Sequence, residues 1–98
     1  MRDHREPPTA RQALYLEIAQ AEHALRETLE TLSARMRADR KHAGIATLVA
    51  RAEALSAQLT GAVELLGPGA DEDATRAVAN GLAAWLAELA REAARTAR

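Results

Sequence analysis

Apolar residues recur at helical spacing through most of this chain, and the spacing changes between its two halves. In the first half the steps are 4, 3, 4, 4, 3 and 4 residues, and in the second half they are 3, 4, 3, 4, 3 and 4. The first set is Leu14, Ile18, Ala21, Leu25, Leu29, Leu32 and Met36; the second is Ile45, Leu48, Ala52, Leu55, Leu59, Ala62 and Leu66. The first rhythm is near the period of a straight helix and the second is a heptad. The pattern therefore predicts long helices packed on other helices.

The start of the first helix is marked by capping residues. The prolines at residues 7 and 8 prevent a helix from extending further toward the N-terminus. Residues 1–8 are therefore predicted to be a disordered arm. Thr9 and Gln12 have the spacing of a capping box. The first helix is predicted to run from about residue 10 to 41.

The first break is predicted at Gly44, a residue suited to the left-handed conformation that ends many helices. Residues 42–44 would then form a tight reversal, followed by a second helix over about 45–66. A continuous rod over 10–66 is the alternative, because one glycine costs a helix only about 1 kcal/mol. The hairpin is preferred because the apolar rhythm changes there.

The second break is a Gly-Pro-Gly sequence at residues 67–69. An acidic run at 71–73 follows it and favours a helix N-terminus, so a third helix is predicted over about 74–96. Its apolar stripe is predicted to be Val78, Leu82, Trp85 and Leu89. No segment alternates with period two, which argues against strands. The predicted fold is all-α: an antiparallel, up-down-up three-helix bundle forming a single domain over 9–98.

Composition adds a reason to expect association. The 98 residues include 25 Ala and 13 Leu but no Phe, one Trp and one Tyr. Alanine favours helix but buries little apolar area, so a partner surface would add stability. The net charge is −1, and Cys is absent. Twelve Arg against one Lys suggest a bacterial source. No apolar run spans a bilayer and the N-terminus lacks a secretory core, so a cytoplasmic location is expected.

Several apolar or small residues lie beside the main stripes, and together with Trp85 they are predicted to form an interface. This candidate interface is Tyr15, Leu16, Leu65, Gly81, Trp85 and Leu86. Gly81 is placed on the buried face of the third helix, where a neighbouring backbone would approach closely. The alternative is that each helix needs a broad stripe because it meets two neighbours in the bundle.

The up-down-up order also gathers basic residues at one end of the bundle. This candidate basic pole is Arg35, Arg37, Arg40, Lys41, Arg91 and Arg95, with Arg98 near them. One interpretation is that each charge complements its own helix dipole. The other is a site for an anionic ligand or a nucleic acid, although the pole lacks the aromatic residues typical of nucleic-acid binding.

Catalytic and cofactor motifs are not evident. The histidines at 4, 23 and 42 have no metal-binding spacing, and no nucleophile–base arrangement or phosphate loop is recognisable, so no enzyme, metal or cofactor is expected. The segment His23-Ala24-Leu25-Arg26 is similar to the His-x-Leu-Lys motif of histidine phosphotransfer domains, with Arg26 in place of Lys and Glu27 in place of the following Gly. That resemblance implies a phosphoryl-accepting His23.

A second resemblance covers residues 21–59. Leucines before and after a charged turn resemble the helical hairpin of small type III secretion co-chaperones, which pair with a larger helical protein. These leucines are Leu25, Leu29, Leu32, Leu48, Leu55 and Leu59. The sequence as a whole predicts a non-enzymatic interaction module that packs helices against itself or against a larger protein. The alternative functions are a regulator that binds an anion through the basic pole, and a co-chaperone.

Overall fold

The computed structural model describes residues 9–39 and 43–96, and it consists there of three α-helices without a strand. They are α1 (Ala10–Ala38), α2 (Gly44–Glu64) and α3 (Ala70–Thr96). Each pair of helices is in contact, and α2 contacts both neighbours more extensively than α1 and α3 contact each other. The predicted all-α, up-down-up bundle is confirmed, and because α1 packs on α2, the continuous rod is wrong.

The N-terminus of α1 has the predicted capping box. The backbone N–H of Gln12 donates to Thr9 Oγ1 at 3.1 Å, and the N–H of Thr9 donates to Gln12 Oε1 at 2.8 Å. At the other end the helix stops at Ala38, because Asp39 adopts an extended conformation while its N–H donates to the Arg35 carbonyl at 2.8 Å. The predicted arm, residues 1–8, lies outside the described residues.

The prediction for Gly44 is wrong. Gly44 is the first residue of α2, and Gly69 is the only described glycine with positive φ. The extended Asp39 already ends α1, so a left-handed glycine is not needed there. The second helix ends at Glu64, two residues before the predicted boundary.

The third helix begins at Ala70, four residues before the prediction, so the acidic run belongs to its first turn rather than to the loop. The N–H of Asp73 donates to the Gly69 carbonyl at 2.9 Å. Carboxylates in a first turn complement the positive end of the helix dipole, which accounts for the earlier start.

Arg76 closes the turn between α2 and α3. Its guanidinium donates to the carbonyls of Leu66 at 2.6 Å and Gly67 at 3.0 Å, and to Asp73 Oδ1 at 3.1 Å. Carbonyls just beyond a helix C-terminus have no intrahelical donor, so this side chain satisfies groups that would otherwise need water. The turn therefore has a defined geometry that holds the start of α3 against the end of α2.

The core is one cluster of aliphatic side chains drawn from all three helices. Its buried members are Ile18, Ala21, Leu25, Leu29, Leu32, Met36, Ile45, Ala52, Leu59, Ala62, Val63, Leu66, Ala79, Leu82, Leu86 and Leu89. The four largest fully buried side chains are all leucines. The α1 rhythm read from the sequence is reproduced, with Leu14 only half-buried.

Replacing Leu29 by Ala should destabilise the fold by about 2–5 kcal/mol, because Leu29 is fully buried and its removal leaves a cavity. The matched control is Leu65→Ala, which removes the same atoms from a side chain that is 73% exposed and should cost less than about 0.5 kcal/mol. Urea unfolding followed by circular dichroism measures both. Equal losses for the two variants would contradict the core assignment.

Candidate interaction surface

A buried carboxylate ties the start of α3 to the start of α1. Glu72 is 8% exposed, and its Oε2 accepts hydrogen bonds from the Tyr15 hydroxyl and, at 2.8 Å, from the Arg11 guanidinium. The Arg11 guanidinium carbon also lies 5.4 Å from the centroid of the Tyr15 ring. Burying a carboxylate is costly unless it is paired and hydrogen-bonded, and both partners come from α1. We call these three residues the anchor.

The anchor shifts the proton affinity of two of its members. The hydrogen bond from Tyr15, supported by the charge of Arg11, holds the pKa of Glu72 below its usual value although burial opposes this. The same hydrogen bond, with burial and the carboxylate charge, raises the pKa of Tyr15 above its usual value. Both residues are therefore held in the charge states that the hydrogen bond requires at neutral pH.

Gly69 allows Glu72 to take this position. It has a φ of +158°, and a Cβ atom built on it would overlap Glu72 Oε1. The Glu72 carboxylate cannot move away freely, since Oε2 is held by Tyr15 and Arg11. A glycine is therefore required here by a close approach.

The anchor also accounts for the rotation of α3. Residues seven apart lie nearly two turns apart on the same side of a helix, and Ala79 and Leu86 follow Glu72 at this spacing. Both are buried, whereas Val78 is 39% exposed and Trp85 is only half-buried. Of the predicted stripe, Leu82 and Leu89 are buried as expected and Trp85 packs on the core, whereas Val78 is exposed, so the buried face is rotated slightly toward Ala79. Leu86 packs in the core instead of extending a surface.

The rotation leaves a second line of residues on α3 that is largely exposed in the described part of the chain. We call this line the α3 seam; it is Asp71, Ala74, Val78, Gly81, Trp85 and Glu88. All of these except Trp85 are exposed, and Trp85 is half-buried and packs on the core. A Cβ atom added at Gly81 would meet nothing within 4 Å. Gly81 was expected on the buried face; it lies instead on a face open to solvent.

The other members of the candidate interface are elsewhere. Tyr15 belongs to the anchor and is half-buried. Leu16 is 57% exposed and lies two residues from both Leu14 and Ile18, which places it on the side of α1 opposite the core. Leu65 is 73% exposed and caps the end of α2. The structure thus brings only Gly81 and Trp85 of the predicted set onto one largely exposed face, and it adds Val78.

The candidate basic pole is only partly described. Arg40, Lys41 and Arg98 lie outside the described residues, and Arg35 already has an interaction partner. Arg37 donates to Ser33 Oγ at 2.8 Å. Arg91 and Arg95 are exposed on the last turns of α3.

Two further surface features involve α1. The side chain of His23 is 74% exposed, and its Nε2 lies 3.3 Å from Glu27 Oε1.

An open groove of about 300 Å³ runs between α1 and α2. It is lined by Ala24, Glu27, Thr28, Thr31, Leu48 and Arg51. The hydroxyl of Thr28 donates to the Ala24 carbonyl at 2.7 Å, so it is already satisfied within the helix.

Comparison with protein-family models, with curated proteins and with solved structures gives no match. Among residues 9–39 and 43–96, no group of three or more His, Asp or Glu side chains is arranged to hold a metal ion. In the same residues, no helix is both long and apolar enough to cross a membrane.

The anchor predicts a specific pH dependence of stability. Because the pKa of folded Glu72 lies below its usual 4.5, the stability it adds is complete above about pH 4.5 and is lost as pH falls through the folded pKa. Because the pKa of folded Tyr15 lies above 10.0, its contribution is complete below about pH 10 and is lost as pH rises through the folded pKa. Thermal unfolding across this range should show Glu72→Gln removing part of the acid-side loss. Glu30→Gln, an exposed carboxylate of α1, is the control and should leave the profile unchanged.

The open surroundings of two helical glycines predict stabilising substitutions. Gly81→Ala and Gly61→Ala should each raise the free energy of unfolding by about 0.5–1 kcal/mol, because alanine restricts the unfolded chain and neither site has a clashing atom within 4 Å. Urea unfolding in dilute solution measures both. Destabilisation by Gly81→Ala alone would mean that another segment packs closely on the seam within the monomer.

Proposed function

We propose that this protein is a non-enzymatic helical interaction module that docks a helix on the α3 seam, either from itself or from a larger protein. The observation that carries the proposal is that Ala74, Val78, Gly81 and Trp85 follow one another at steps of 4, 3 and 4 residues on a face that is largely exposed in the described chain. Such spacing is typical of helix-on-helix packing.

The composition of the seam suits docking. Trp85 and Val78 supply apolar area, and partly exposed tryptophans frequently carry much of the binding energy at protein interfaces. Ala74 and Gly81 are small, so a second backbone can come near while the larger side chains reach around it. Each square ångström of apolar surface that a partner covers is worth about 25 cal/mol.

The co-chaperone resemblance is one specific form of this proposal. The α1–α2 hairpin would supply the scaffold, and α3, which packs on it, would present the docking face. An anion-binding role of the basic pole is the second candidate, and it is supported by the exposed Arg91 and Arg95. It has less support than docking on the seam, because Arg35 and Arg37 are already engaged within the chain.

Site-specific photocrosslinking in the source cells tests the proposal. A photoreactive amino acid placed at Glu88, an exposed position at the end of the seam, should give a covalent adduct with a second polypeptide while leaving Ala74 and Gly81 small. Glu53 on α2 is the matched control, because it is also an exposed helical glutamate. The mass of the adduct distinguishes a second copy from another protein. Equal labelling from both positions, or none from Glu88, would refute docking on the seam.

A further inference from the structure

We infer that α3 can pack on the bundle in two orientations about its own axis, and that the anchor selects the one in which the α3 seam is exposed. The helix carries two overlapping apolar stripes, which share two leucines. The stripe that is buried in the structure is Ala79, Leu82, Leu86 and Leu89. The alternative stripe is Val78, Leu82, Trp85 and Leu89.

The two stripes differ by a small rotation of the helix. Successive helical residues are about 100° apart, so the centres of the two stripes lie roughly 50° apart. A rotation of this size moves the α3 backbone by about 2 Å, because Cα atoms lie about 2.3 Å from the helix axis. Leu82 and Leu89 belong to both stripes and would stay in the core. The turn before α3 can absorb the change, because two of the three residues at 67–69 are glycines.

Apolar burial alone does not favour the observed orientation. Val78 and Trp85 together carry more apolar surface than Ala79 and Leu86, because the indole ring is far larger than an aliphatic side chain. Val78 is nevertheless 39% exposed, and Trp85 is only half-buried. Another interaction therefore holds α3 in the orientation observed.

The anchor supplies that interaction. Glu72 precedes Ala79 by seven residues, so it lies on the same side of α3 as the buried stripe. In the alternative orientation Asp71 would take its place, with a side chain that is one methylene shorter. Glu72 would turn away from Tyr15 and Arg11 and lose both hydrogen bonds. Of the three helix pairs, α1 and α3 have the least extensive contact, so few other contacts oppose the rotation.

Loss of the anchor should therefore rotate α3 and bury the two large apolar residues of the seam, Val78 and Trp85. In its bearing on docking, this inference rests on the proposed function and names the interaction that keeps the docking surface exposed. The rotation itself takes place within one chain, so it can be measured on the isolated protein without a partner.

Thiol labelling of the full, folded chain measures the rotation, because the chain has no cysteine of its own. Val78→Cys and Ala79→Cys each place a single thiol, the first at an exposed position and the second at a buried one. Adding Glu72→Ala should make labelling at position 79 about tenfold faster and labelling at position 78 about tenfold slower, since losing hydrogen bonds to a charged group shifts a two-state population by about this factor.

The matched control is Asp71→Ala, which removes an exposed carboxylate from the same first turn and should leave both labelling rates unchanged. The Glu72→Ala protein is expected to fold, because its aliphatic core is intact and the side chain of Arg11 is 58% exposed, so no buried charge is left unpaired. Tyr15→Phe removes only the hydroxyl, and it should change the two rates in the same directions by a smaller factor.

The opposite signs of the two changes separate a rotation from a loss of structure. The fluorescence emission of Trp85 should shift to shorter wavelength in Glu72→Ala, because the ring becomes buried. Faster labelling at both positions would mean that α3 detaches, and unchanged rates would mean that the core alone fixes its orientation. Either result would overturn the inference.

Failure of this inference is distinguishable from failure of the proposed function. Unchanged thiol rates together with a crosslinked adduct at Glu88 would overturn the rotation and leave docking on the seam standing. Opposite changes of the two rates without any adduct at Glu88 would support the rotation and overturn docking.

Discussion

The contact of Glu72 with Tyr15 and Arg11 fixes the relation between α1 and α3, the two helices that are not consecutive in the chain. Aliphatic side chains of similar size pack almost equally well after a small rotation of a helix, so an Ala- and Leu-rich core does not by itself select one orientation. A buried carboxylate is far less tolerant, because it must reach its donors or lose its charge. Once Glu72 faces α1, the residues that follow it at steps of seven face the core.

The regular features of the fold could be predicted from the sequence because each depends on local chemistry. The capping box of Thr9 and Gln12 and the apolar rhythm of α1 are set by neighbouring residues, and both appear as expected. The predicted start of α3 lies four residues too late, because the acidic run of its first turn follows directly after the Gly-Pro-Gly turn. The rotation of α3 could not be predicted from the sequence, because Val78 is more apolar than Ala79, and because either of the adjacent residues Trp85 and Leu86 could face the core.

The same rotation divides the predicted interface. Leu86 packs in the core and Tyr15 belongs to the anchor. Gly81, which was predicted at a close contact between helices, lies on an open face. One signal was available in the sequence: Tyr15 and Glu72 are the kind of polar pair that can join two helices. No spacing rule relates residues on different helices, however, so their contact required the tertiary structure. Val78, which the sequence placed in the core, is exposed for the same reason.

Trp85 links the stability of the fold to association. It packs half-buried on the core and belongs to the seam, so a helix docked on the seam would cover a residue that also supports the bundle. A partner that binds only the folded chain stabilises it in proportion to its concentration and affinity. This coupling matters most for a small chain whose core contains many alanines, because each alanine contributes little buried area. The exposed face of α3 is thus a consequence of how the anchor orients the helix, and covering it would supply apolar burial that the alanines cannot.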